Sequence, residues 1–557
     1  MIRSIETGSG FNIICRGERA MGERKEEPRF DASYDAVVVG AGNGGLGAGL
    51  ALAVNGARPL VLEQHNIPGG FATSFVRGRF EFDVSLHELS DVGPDDRKGG
   101  VRKFLDDEAG LRIDWMRVPE AYRLILTGQD MNVRVPFGVR EFIDCIEAEV
   151  PGSREAVTRY MNLCQDIYDT FGYLGRGGKP GPARMARDFA GFLKNASNPI
   201  KDARDLFVHA GNFLRSAPYT VAEVHDALGL PGRAEKIISP YWCYMGIPMD
   251  RLGFPIWAGM LVSYLTQGAY VPRCRSQEMT MAMESRIREL GGQIEYNTRV
   301  ARILTKKGRV TGVVTADGHT IRTDHVIANA SPNLVFGSMM DPAEVPTQAM
   351  KLVNARRVAA SGFVVYMGLD AGPDELGITD YGYFIAEDMN TREQYDAVGA
   401  LGPTKMQAAT CLNRVVPDCS PPGTTILCIT ILHMPEAWYT VKPADYVKTK
   451  NDIAAALIKQ FEEATGVAVR ERIEEIEVAT PVTFARYTGA FDGGIYGYEP
   501  DVWDSVPARI MHLQNERFVK GLEFAGGFAL MGHGYSPSLL SGRAAALATL
   551  AQMGVKS

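Results

Sequence analysis

The chain has 557 residues, more than one compact core organises, so two or three domains are expected. Hydrophobic residues make up 45% and charged residues 22%, an ordinary globular balance. A formal charge of -7 argues against nucleic acid as the main partner, because phosphate backbones require a cationic surface.

Residues 1–34 include "RGERAMGERKEEPR", too charged for the apolar centre of a secretory leader, and are expected to form a mobile extension. Asp35 to Gly40 is an apolar run closed by glycine, the pattern of a buried parallel strand. Leu46 to Asn55, rich in alanine and leucine, predicts a helix, and Arg58 to Glu63 the next strand, completing a βαβ unit. Residues from about 100 to 270 read as mainly helical. Within them, Ala183 to Thr220 interleaves arginines and lysines with phenylalanines and leucines, which suits either a membrane-docking face or a solvated helical face. "SPYWCYMGIPM", at residues 239 to 249, gathers aromatics and methionines as a wall for a flat apolar ligand or a plain core segment. From Gln277 an α/β pattern returns, with a helix ending at Gly291-Gly292 and then short strands. Residues 336 to 504 are mixed, with strand-like runs such as "GFVVYMGL" and "TTILCITIL". The last segment is again strand, glycine-rich turn and helix. The α/β pattern at the start, middle and end implies one nucleotide domain assembled from three segments, with a second domain inserted in two pieces.

Gly40-x-Gly42-x-x-Gly45 follows the first strand and opens the first helix. In that context the first glycine makes the tight turn, the second admits a pyrophosphate, and the third lets helix and strand pack closely. Amides at the helix start then bind the phosphates. Glu63 ends the next strand, where a carboxylate accepts hydrogen bonds from both ribose hydroxyls and repels a 2'-phosphate, so NADP is excluded here. A second backbone approach at Gly69-Gly70, and a returning turn from Gly526 to Gly534, fit FAD lying across the domain.

"DAVVVGAGNGGLGAGLALAVNGARPLVLEQHNIPGGFATSF…FEFDVSLHEL" resembles the phytoene desaturase family of flavoproteins, closest in look to its carotenoid isomerase and retinol saturase branches. The resemblance implies a glutathione-reductase-like FAD-binding Rossmann domain built from discontinuous segments, with a mixed α+β substrate domain and a helical insertion. The corresponding division is an extension at 1–34, FAD segments at 35–100, 275–335 and 505–557, and substrate-domain parts at 101–274 and 336–504. "GAYVPRCRSQEMTMAMESRIRELGGQIEYNTRVARIL" resembles the family's second block, which implies Val300 beside the adenine. "ATPVTFARYTGAFDGGIYGYEP" and "EFAGGFALMGHGYSPSLLSG" resemble its later blocks. Many relatives have Gly-Asp where this chain has Gly526-Gly527, so a carboxylate that helps hold the ribityl or phosphate region is missing. Candidate cofactor contacts are therefore Gly40, Gly42, Asn43, Gly44, Gly45, Glu63, Gln64, Gly69, Gly70, Phe71, Val300, Gly526, Gly532, Gly534 and Tyr535. No metal site is expected.

Flavin carries hydride chemistry itself, and the protein supplies orientation, electrostatics and exclusion of water. Within the cluster Glu81, Asp83, His87 and Glu88, His87 is the candidate general acid or base on its ordinary pKa near neutrality. His533, between two glycines, could touch ring or substrate; the hydroxyls of Tyr535 and Tyr487 could supply a proton. Each has a plainer alternative as a packing, turn or pocket-lining residue. The expected function is an FAD-dependent oxidoreductase or redox-dependent isomerase acting on C–C or C=C bonds of an apolar polyene or isoprenoid. The alternatives are a flavin amine oxidase-like enzyme and a non-enzymatic FAD-fold lipid carrier or escort protein. No second G-x-G-x-x-G stands in a βαβ context, so electrons are expected to reach or leave the flavin through an external donor or acceptor. Eight cysteines without C-x-x-C spacing read as reduced thiols, and no run of about 18 uncharged apolar residues occurs. The expected location is cytoplasmic, peripheral at the membrane if residues 183–220 dock there.

Overall fold

The computed structural model describes residues 30, 33–85, 87–175, 211–505, 508–509, 516–529 and 532–555. Residues 183–210 of the basic–aromatic run and nearly all of the expected N-terminal extension lie outside them. No helix among the described residues is long and apolar enough to cross a membrane.

The strand Ala36–Val39 is buried at all four positions and lies in the middle of a five-stranded parallel sheet. Pro59–Leu62 and Val326–Ala328 flank it, with Gln293–Glu295 and Leu522–Phe524 outermost. A parallel sheet is covered on both faces, which is why its strands read as unbroken apolar runs. Alternation sends Ala36, Val38 and Val61 to one layer, with the helices Asn43–Val54, Arg275–Glu289 and Tyr535–Met553. Val37, Val39, Leu60 and Leu62 face the other layer, an antiparallel sheet of Val300–Lys306, Arg309–Thr315 and Thr320–Arg322.

A second sheet has seven strands in the order Ile473–Ala479, Ser361–Leu369, Thr425–His433, Met406–Cys411, Gly382–Ala386, Tyr122–Leu126 and Met131–Val135. All its neighbours are antiparallel except Gly382–Ala386 with Tyr122–Leu126. One face, with Phe363, Val365, Ile429 and Ala409, packs on the helix Tyr446–Thr465. The other, with Leu124, Phe384, Ala408 and Leu432, packs on a helical layer that includes Val139–Glu149, Arg154–Gly175 and Phe254–Gln267. The helical reading of residues 100 to 270 is thus corrected: Tyr122–Leu126 and Met131–Val135 form a hairpin inside this sheet. Arg123 and Arg134 point outward to Asp380, so their charges interrupted the apolar pattern without opposing the strand.

Candidate functional site

The end of the first strand turns sharply. Gly40 has φ +91°, and its N–H donates to the Leu62 carbonyl (2.8 Å). A β-carbon at Gly45 would strike the Gly40 carbonyl, and one at Gly44 would strike the backbone of Gly526. The helix Asn43–Val54 starts at Gly42 with no side-chain cap and no acidic residue in its first turn. Its first amides and the positive end of its dipole are thereby left for an anion. Asn43 Oδ1 is buried there without a partner. Gly69 is bridged to Gly42, its N–H donating to the Ala41 carbonyl (2.8 Å), so the second glycine pair is stitched beside the first turn. Glu63, 8% exposed, accepts from the amides of Ala41 (2.6 Å) and His65 (2.7 Å), which hold its carboxylate at the cavity edge. The Thr298 N–H donates to the Glu63 carbonyl (2.7 Å), bringing Val300 to the same end. Gln64 reaches across to the turn at Gly489.

The C-terminal segment closes this cradle. Gly526 has φ +86°, and its N–H donates to Ser541 Oγ (2.8 Å). The helix Tyr535–Met553 begins at Gly534 (φ +98°), again without a side-chain cap. It crosses the first helix on small residues, with Gly542 against the Gly44 carbonyl and Gly47 against Leu539. Asn329 was not anticipated: its side chain packs between Gly40, Gly42, Gly44 and Gly526, joining three distant segments. Only its position at the end of the "HVIANA" strand could have signalled it.

These groups border one cavity of about 2620 Å³. Drug-sized ligands occupy pockets of roughly 300–1,000 Å³, so a dinucleotide and a second long molecule both have room. Of the residues expected at the cofactor, Gly45 and Gly532 do not line the cavity, and the others do. Gly45 acts in helix–strand packing, and Gly532 forms a turn at φ +80°. The glycine cradle, the orphaned Asn43 oxygen and two uncapped helix starts fit FAD.

Beyond the cradle, one face of the seven-stranded sheet forms a floor. Val364, Thr430 and Ala408 stand in register across three strands, with Leu432 and Met406 in the next row. The opposite wall is aromatic: Trp242, Tyr244, Tyr264 and Tyr496. Tyr244 packs edge-on against His87 (5.9 Å between centroids), and Tyr496 lies 4.8 Å from His533.

The expected catalytic residues differ in setting. His87 Nε2 is 3.1 Å from Thr430 Oγ1, its Nδ1 has no partner, and Tyr381 Oη donates to its carbonyl. Burial lowers its pKa to about 4, so the ordinary value on which its acid–base reading rested does not hold here. His533 is 8% exposed, and burial lowers its pKa to about 4 as well, against the opposing effect of the Tyr244 and Tyr496 backbone beside its ring. Tyr535 Oη donates to the Phe71 carbonyl (2.6 Å) and lies 3.2 Å from Ser85 Oγ, so it pins the segment after Gly69-Gly70; burial raises its pKa. Tyr487 is 56% exposed and rests on His65 beside the Glu63 end, with Arg486 over its ring. Glu88, passed over in the sequence beside His87, also lines the cavity, and burial raises its carboxyl to about 7.

Residues 38–107 match the model of an NAD(P)-binding Rossmann-like domain, and residues 252–546 match that of flavin containing amine oxidoreductase. The chain is 25% identical over 538 residues to the chloroplastic prolycopene isomerase of Daucus carota, covering 94% of this chain and 81% of that protein. It is 24% identical over 497 residues to the all-trans-retinol 13,14-reductase of Danio rerio, covering 84% and 78%. Among solved structures, the cyclohexylamine oxidase of Brevibacterium oxydans IH-35A superposes with a TM-score of 0.57 at 15% identity, covering 94% and 99%. Putrescine oxidase bound to putrescine gives 0.59 at 13% identity, with the same coverage. These likenesses bear out the Rossmann-type FAD fold.

Proposed function

The chain belongs to the flavin containing amine oxidoreductase family, among its phytoene desaturase-type flavoenzymes, and from that premise we propose that it acts on a carbon–carbon bond of an apolar polyene or isoprenoid. Its cofactor is FAD. Gly40, Gly42, Asn43, Gly44, Glu63, Gly69, Gly70 and Val300 would hold the adenosine and pyrophosphate, with Gly526, Gly534 and Tyr535 toward the ring. When bound, FAD supplies hydride transfer.

The observation that carries the reading is the wall beyond the cradle. It is aromatic and aliphatic, and His87 and His533 are held neutral within it. Such a surface offers dispersion and stacking to a flat chain, and burial raises the acid within it, Glu88, to about 7 instead of leaving it a permanent charge. Val364, Thr430 and Ala408, in register across three strands, give a long chain a continuous floor to lie along. Thr430 fixes the His87 ring, and Tyr535 fixes Phe71. These residues orient the substrate and exclude water.

The test uses the FAD-loaded protein, photoreduced without oxygen, with all-trans-retinol or poly-cis-lycopene in detergent micelles. A product heavier by a pair of hydrogens, or one of unchanged mass and altered double-bond geometry, is expected in chromatography. The oxidised protein is offered the same compounds for loss of hydrogen. Peroxide formed from putrescine or cyclohexylamine, with the polyenes untouched, would replace this reading with amine oxidation.

A further inference from the structure

Glu88 lies in the cavity wall and accepts a hydrogen bond from Tyr244 Oη (2.8 Å). We propose that Glu88 is the catalytic residue that exchanges a proton with substrate carbon, so that this protein moves hydrogen onto or off a bond rather than only rotating it. The inference rests on the polyene reading above. In the reducing direction, one alkene carbon receives a hydride from the reduced flavin. The π pair of the double bond forms the second C–H bond with the proton of Glu88, which is left as carboxylate. In the oxidising direction, the Glu88 carboxylate takes a proton from one carbon. The electrons of that C–H bond become the new π bond as hydride departs to the oxidised flavin.

The neighbours single out Glu88 for this task. Tyr241, Cys243 and Tyr244, Tyr264 on the helix Phe254–Gln267, and Tyr381 all feel its charge, and burial raises the pKa of each. They stay neutral and are poor proton donors at pH 7. His87, next in the chain, and His533, across the wall, also stay neutral, because burial lowers both to about 4. Glu88, near 7, is the group among these whose proton is available in both directions, as general catalysis requires. Two further polar atoms line the same cavity. Ser263 Oγ and Gln267 Oε1 stand one helical turn apart, buried, unpartnered and in the same cavity wall. Unsatisfied buried polar atoms of this kind hold water.

The variant Glu88→Gln keeps the size and an acceptor for Tyr244. With full FAD content, it is expected to turn over polyene at least about 100-fold more slowly than the unaltered protein. Infrared difference spectra from about pH 5 to about pH 9 provide a second readout. The unaltered protein should lose a protonated-carboxyl band with a midpoint of about 7, and Glu88→Gln should lack that band. Turnover by Glu88→Gln within about twofold of the unaltered rate, or no such band at any pH, would overturn the role of Glu88 while leaving the polyene reading intact. A product of unchanged mass as the sole outcome with the unaltered protein would overturn the role of Glu88 alone, and no polyene turnover by the unaltered protein would overturn both.

Discussion

Glu63 and Glu88 show how differently one residue type is set by its surroundings. Glu63 is held by two backbone donors at the mouth of the cradle, and Glu88 is held by a tyrosine inside an aromatic wall. In Glu63→Gln the amide NH2 must face one of those backbone donors, leaving it unsatisfied at a cost of about 1–3 kcal/mol. FAD affinity is expected to fall by roughly 10–100-fold, measured by titrating apoprotein with FAD and following flavin fluorescence. Affinity unchanged in that titration would remove Glu63 from the site. Gly527 offers the reverse experiment. A β-carbon there meets the Tyr496 carbonyl at 3.4 Å and the His533 backbone at 3.7 Å, ordinary contacts, and its φ is not in the left-handed region. Gly527→Asp is therefore expected to be tolerated and to tighten FAD binding about tenfold, through a charge-assisted hydrogen bond. A weaker complex would show that this turn does not approach the ribityl chain. Glu63 was legible in the sequence because its role depends on a neighbouring turn. The protonation of Glu88 was not, since Tyr244 and Tyr264 lie far along the chain.

At the scale of elements, the crossing of Asn43–Val54 with Tyr535–Met553 ties the cradle to the C-terminal segment. It depends on glycine where backbone meets backbone: a β-carbon at Gly542 runs into the Gly44 carbonyl, and one at Gly47 comes within 2.5 Å of the Leu539 carbonyl. Gly542→Ala is expected to cost about 1–3 kcal/mol and to lower bound FAD, read as melting temperature and flavin absorbance. Gly49→Ala should be milder, because its β-carbon meets only side-chain ends, Val61 Cγ2 at 3.0 Å and Ile287 Cδ1 at 3.2 Å. Equal losses in the two variants would count against the crossing as the sensitive contact. The glycine-rich turn and the helix after it could be read from sequence, because spacing and residue type there follow from a local backbone. The strand Tyr122–Leu126 could not. It pairs with Gly382–Ala386, more than 250 residues away, and its half-buried, charged Arg123 hides the buried Tyr122, Leu124 and Leu126.

For the whole molecule, buried titratable groups set the response to acid. His87, His225 and His533 each titrate near 4 when folded and near 6.5 when unfolded. Between those values the unfolded chain binds more protons, so stability rises with pH from about 4 to about 6.5, by up to about 3 kcal/mol per histidine. Glu88 acts in the opposite sense. Its folded carboxyl titrates at about 7 against an unfolded value of 4.5, so its contribution is full below 4.5 and lost as pH rises through 7. Glu88→Gln is therefore expected to melt higher than the unaltered protein at about pH 8 and at a similar temperature at about pH 4, by scanning calorimetry. A lower melting temperature at the higher pH would contradict the burial of a neutral acid. The order of the five-stranded sheet, finally, bears on how the protein is made. The central strand Ala36–Val39 emerges from the ribosome early, yet its neighbour Val326–Ala328 and the next strand out, Leu522–Phe524, are synthesised last. At roughly 5–20 residues per second, that delay lasts from about half a minute to a minute and a half. For the first part of that interval Ala36–Val39 keeps an open edge and the cradle lacks Asn329, and for the rest Val326–Ala328 keeps an open edge and the cradle lacks Gly526. The complete flavin cradle therefore forms only once Gly526 has been made.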